Sequence, residues 1–143
     1  MSRIDAITAV MAIPVVEENG EERDARPGEA VLDDYVKGLE DRFADFNRRA
    51  GGPSGLDTVW TDLLGQPAIV NDADFGIYEK KGLVYPAILM NPAGITAGDG
   101  TPLADLITER FREDHTRGRL AELIGKRLGV DWVSIFVTFG STA

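Results

Sequence analysis

The ten residues Val130-Asp-Trp-Val-Ser-Ile-Phe-Val-Thr-Phe139 constrain the fold more than any other stretch of the chain. In an extended backbone Val133, Ile135, Val137 and Phe139 point to one side, and Trp132, Ser134, Phe136 and Thr138 to the other. One face is wholly apolar and the other half apolar, which predicts a strand buried on one side and largely covered on the other. Leu120, Leu123, Ile124 and Leu128 precede it at helical spacing, and Gly129 supplies the stop. A helix that feeds such a strand is a sheet-building unit, and it names no reaction.

The rest of the chain completes an α+β expectation. It is a single domain over residues 1–143 with a small mixed sheet, its strands drawn from 68–90 and 130–139. Three main helices, 29–49, 102–114 and 117–128, pack largely on one face. A chain of 143 residues is long enough to bury roughly 68–70% of its unfolded surface, so no staple is required. There is no cysteine, which removes disulfides, thiolate metal sites and thiol nucleophiles together.

Taken in order, Ser2-Arg-Ile-Asp5 has capping-box spacing and predicts a short helix with Ile4, Ile7 and Met11 on one side, ended by Pro14. Residues 14–28 read as an exposed acidic loop or hairpin around Asn19-Gly20. Leu32, Val36, Leu39, Phe43 and Phe46 form the stripe of the first long helix. Gly51 to Gly55 breaks the chain as a Gly/Pro-rich loop, followed by a short helix or turn from Leu56 to Leu64. Ala68 to Val70 is a strand, and 75–90 a hairpin about Lys80-Lys-Gly82, in which Pro86 implies an edge position or a bulge. Residues 91–100 read as a second Gly/Pro-rich loop. Thr101 and Pro102 are a cap and first turn for the next helix, which bends or restarts between Asp114 and Gly118, with Thr116 as a new cap.

Residues able to carry chemistry are few. Asp72 and Asp74 lie in Asn71-Asp-Ala-Asp-Phe-Gly76, whose Asp-Phe-Gly matches a kinase motif in a chain lacking that fold's other signatures. His115 is the only histidine. A small enzyme using Asp72, Asp74 or His115 is the third-ranked reading, and no cofactor or metal is expected. Gly98-Asp-Gly-Thr101 before a helix start would offer amides to an anion, but turn plus cap is the stronger reading.

Charge points elsewhere. The net charge of −9, from 24 acids and 15 bases, repels phosphate backbones and disfavours direct nucleic-acid binding. Glu17, Glu18, Glu21, Glu22 and Asp24 make one acidic interaction surface, and Arg117, Arg119, Lys126 and Arg127 a basic one. The leading expectation is a non-catalytic assembly or interaction protein whose partners are other protein subunits, as a homo-oligomer. A small structural subunit of a symmetric particle, such as a phage head–tail or tail component, is the form envisaged. The alternative is an acidic inhibitor or immunity-type protein that binds a basic partner. No apolar run reaches membrane-spanning length and no leader pattern opens the chain. The expected location is therefore the cytoplasm, or the virion for a phage protein.

Overall fold

The first departure from these expectations lies at the centre of the molecule. Residues 3–11 form no helix; they are β1 (Arg3–Met11), an inner strand of the main sheet. The spacing of Ile4, Ile7 and Met11 imitates a helix because of a bulge. Ile4 faces Phe139 and Ala6 faces Thr138, so Asp5 is an extra residue that returns Ile4 and Ile7 to the same side. Past it, Ile7, Ala9 and Met11 alternate inward, and with Ile4 all are 2% exposed or less. Tertiary burial thus overrides a local capping signal.

The structure, a computed structural model, describes residues 2–140. After β1 come β2 (Val15–Glu18), β3 (Glu21–Asp24), α1 (Ala30–Phe46) and α2 (Gly55–Leu64). Then follow β4 (Ala68–Val70), β5 (Ala73–Lys80), β6 (Leu83–Met90) and a 3-10 turn (Pro92–Gly94). The chain continues with β7 (Ile95–Ala97), α3 (Ala104–Arg110), α4 (Asp114–Leu128) and β8 (Val133–Gly140). The main sheet has the order β5-β6-β1-β8; β2-β3 and β4-β7 are separate two-stranded ladders, and among the described residues every pairing is antiparallel. The class is α+β.

The stretch 130–139 is a strand, but it stands at the edge of the sheet and not inside it. Its Val133, Ile135 and Val137 side pack toward the helices, with Ile135 buried. Its other face is open, with Phe136 44% exposed. The inner position goes to β1, whose Ala9 and Met11 lie opposite Ile135 and Val133. Pro86 lies on an inner strand where an edge was expected. β6 pairs with β1 only as far as Ala87–Val10, so the missing proline N–H falls just beyond the last paired residue.

The helices cover the face that carries Ile7, Ala9, Ile88, Met90 and Ile135. Trp60 of α2 stacks on Phe111, ring centroids 5.8 Å apart, and both are fully buried. Burial of one such side chain contributes about 1.5–3 kcal/mol. Ser54 caps α2 in a reciprocal box with Asp57. The wholly buried Asp57 carboxylate also accepts from Val70 N at 2.8 Å and from the Arg49 guanidinium at 2.6 and 2.9 Å. Burial works against that charge; Arg49 and the two backbone donors outweigh it and hold the carboxyl below its usual range.

Several boundaries move. The expected loop 91–100 contains the 3-10 turn and β7, which gives β4 a partner. Thr101 and Pro102 do not start α3. Pro102 bridges to Thr96, and the helix begins after Leu103. The break between α3 and α4 falls at Phe111 to Glu113; Thr116, the expected cap, is buried in the first turn of α4.

Candidate functional site

Two surfaces stand out, one apolar and one acidic. On the sheet face away from the helices, Tyr78 of β5 and Phe136 of β8 come from opposite edges and stack at 5.5 Å and 9°. Between those edges on the same face lie Val10 and Ala87, paired across β1 and β6 and both buried, outside the main core cluster. The stacked rings and Leu89 lie on that same face, and Tyr85 beside them packs against the cluster of Ile13, Ala25 and Leu32. Leu89 leans over Gly76, where any β-carbon would collide with its Cδ1. Leu89, Phe136 and Trp132 remain 43%, 44% and 50% exposed. Singly such residues are ordinary surface; together on one open sheet face they form a patch.

The acidic surface is the β2–β3 hairpin, turned by Asn19 and Gly20, both at positive φ as the tight turn requires. Its register sets Glu17 opposite Glu22 and Glu18 opposite Glu21. Like charges directly opposite destabilise a ladder by some tenths of a kcal/mol each, roughly 0.2–1. Arg23 compensates at the base, bonding Glu18 at 2.5 Å and Glu29 through two 2.9 Å contacts. Hydrogen bonds from Arg23, then from the Arg26 amide, hold Glu29 down at about 2, and Glu18 is lowered by Arg23 as well. Glu17, Glu21, Glu22 and Asp24 stay exposed at the tip and flank.

The four expected basic residues of α4 do not gather. Arg119 and Lys126 share a helix face, and both bond Glu122, at 3.4 and 3.5 Å. Arg117 lies near the buried side with its Nε enclosed, and Arg127 points elsewhere around the helix. Beside Glu122 and Lys126 a cleft of about 510 Å³ opens between α4 and the 129–133 segment, lined also by Ala121, Asp131 and Trp132.

The enzyme-like candidates are divided. Asp72 and Asp74 border a shallow groove of about 210 Å³ with Asp5, Thr8 and Leu89. Asp72 accepts from Asn91 Nδ2 at 3.0 Å, and its Cβ would stand 2.7 Å from any β-carbon placed at Gly94. His115 lies outside that groove, exposed at the start of α4 and 3.3 Å from Glu113. Among the described residues no three His, Cys, Asp or Glu side chains are placed to hold a metal ion. The Gly98–Thr101 loop keeps its amides for itself. Asp99 accepts from Thr101 N at 3.0 Å, a bond that lowers its own carboxyl, and α3 starts too late to point at a ligand there.

Sequence reasoning missed the apolar edge because it read Trp132 and Phe136 as covered. The available signal was the absence of charge from 132 to 140, which suits a hidden strand and an open one equally. Comparison with family models, with curated proteins and with solved structures gives no match. Among the described residues no helix is long and apolar enough to cross a membrane.

Proposed function

We propose that this chain is a non-catalytic assembly subunit that binds other protein subunits, copies of itself foremost. A part in a symmetric particle, such as a phage head–tail or tail component, fits that role. The observation that carries the reading is β8, an eight-residue edge strand with no charged residue and aromatic side chains left open to solvent. Such an edge is a template for another chain unless something guards it. Sedimentation of the full chain across micromolar concentrations tests the proposal. A concentration-dependent rise in mass is expected; a monomer throughout, with no protein partner in a pull-down, overturns it.

A second reading rests on the hairpin. Two pairs of opposed glutamates cost stability that neutral residues would spare, which favours a partner that needs the acids. That partner is a basic protein, as for an inhibitor or immunity-type protein. Salt separates the two readings. Binding of a basic partner weakens as salt rises, whereas self-association of a chain of net charge −9 through an uncharged strand strengthens.

A further inference from the structure

We infer that β8 pairs with β8 of a second copy about a two-fold axis at Ile135, giving one continuous eight-stranded antiparallel sheet. This rests on the assembly reading and names its surface. The register follows from the backbone. Ala12 N donates to Trp132 O at 3.2 Å, so 132 belongs to the residues of this strand that turn their amides toward β1. Antiparallel pairs alternate, so Ser134, Phe136 and Thr138 also bond inward, while Val133, Ile135, Val137 and Phe139 present N–H and C=O to the open edge. The β1 bulge lies opposite Thr138 and bends the strand before Phe139, so 133–137 is the regular stretch of the edge. A two-fold at Ile135 uses all three outward residues of that stretch on both strands: Val133 with Val137 of the second copy, Ile135 with Ile135, Val137 with Val133.

The same register matches the side chains. Phe136 falls opposite Ser134 of the second copy and diagonal to its Phe136, within reach of an aromatic contact. The Tyr78–Phe136 stack of each copy then continues across the seam as one row of four rings. Trp132 lies opposite Thr138, and no charge is buried between residues 132 and 138. For a chain of net charge −9, this strand is a line along which two copies meet without repulsion between neighbouring side chains.

Closure supports a second copy over an unrelated strand. In the dimer the sheet ends on β5 at both sides, and β5 carries Asp74, Glu79 and Lys80. Charged edges resist further strands, so growth stops at two. The seam lies at the small end of specific interfaces, roughly 1,200 Å² or less in total, so dissociation in the micromolar range is expected.

The absence of cysteine allows a clean test in the full chain. With Ile135→Cys, the two new sulfurs belong to residues about 5.5 Å apart at Cα, inside disulfide range. With Val133→Cys they stand about 13 Å apart along the strand. Mild oxidation should convert Ile135→Cys to covalent dimer at least about ten-fold faster than Val133→Cys. Equal rates, or none, overturn the two-fold. Val137→Pro removes one outward N–H and leaves the β1 ladder intact. It should weaken dimerisation about ten-fold or more in sedimentation from about 1 to about 200 µM, with an unchanged circular dichroism spectrum. If the chain associates but neither variant behaves so, this seam is wrong and the assembly reading survives. If wild type stays monomeric and captures no protein, both fall.

Discussion

The two edges of the main sheet are built from strands of equal length and opposite character. β5 reads Ala73-Asp-Phe-Gly-Ile-Tyr-Glu-Lys80 and β8 reads Val133-Ser-Ile-Phe-Val-Thr-Phe-Gly140. β5 carries three charged side chains, with Lys81 just beyond it, and β8 carries none. Apolar residues such as Ile77, 59% exposed, sit on β5 among charges that discourage a second strand. β8 has no such gatekeeper. The difference teaches that exposure alone does not distinguish the two edges; what separates them is whether charge guards the free amides and apolar groups.

The largest expected effect tests whether β8, despite its open side, is anchored as firmly as β5. Ile135 is buried at 9% exposure, and Phe75 is half-buried with its ring 6.1 Å from Phe43. Ile135→Ala should cost about 3 kcal/mol, near the middle of the range for buried aliphatic truncation. Phe75→Ala should cost about 2 kcal/mol, because much of that ring already meets solvent. Urea unfolding at low protein concentration gives both values. If Ile135→Ala loses well under 1 kcal/mol, β8 is a loosely held flap and its apolar edge loses its significance.

That anchoring is legible in the amino-acid sequence, and the edge position is not. The alternation from Val133 to Phe139 specifies a strand, and the stripe from Leu120 to Leu128 specifies the helix before it, because both patterns are local. Strand order is not local. It depends on Arg3–Met11, where the bulge at Asp5 disguises period two as a helical stripe and hides the strand that takes the inner place. The hairpin turn at Asn19-Gly20 is readable from two residues that accept positive φ. The split of the basic residues on α4 follows from 100° steps around the helix; the Tyr78–Phe136 stack does not, since nothing in the sequence brings 78 near 136.

That stack supplies a smaller and sharper test, because it ties the two edges together. Tyr78→Ala and Phe136→Ala in a double-mutant cycle should show a coupling of about 0.5–1.5 kcal/mol, as for other aromatic pairs. Coupling near zero would mean that each edge is independent of the other. A matched charge scan then compares the edges directly. Phe136→Lys should weaken self-association about ten-fold or more, since it places like charges diagonally across the seam, whereas Ile77→Lys should leave it unchanged. Equal losses from both would make the guarded edge as important as the bare one.

The smallest effect is confined to the hairpin and uses acid to tell the charged parts of the molecule from β8. The Glu29 carboxyl titrates at about 2 in the folded protein against an ordinary 4.5, because Arg23 and the Arg26 amide bind its charged form. Its tie between hairpin and α1 is therefore at full strength above about pH 4.5 and is lost as pH falls toward about 2. Glu18, lowered by the same arginine, acts in the same direction. β8 has no ionisable side chain, so its own ladder to β1 has no corresponding loss. Amide exchange followed by NMR from neutral pH downward, corrected for intrinsic rates, should show protection at Val16 and Arg23 falling while that at Ser134 and Phe136 persists. Glu29→Gln should give the weakened hairpin already at neutral pH. If the hairpin and β8 instead lose protection together, the ion pairs of Arg23 do not hold the hairpin separately, and the acidic arm and the bare edge form a single cooperative unit.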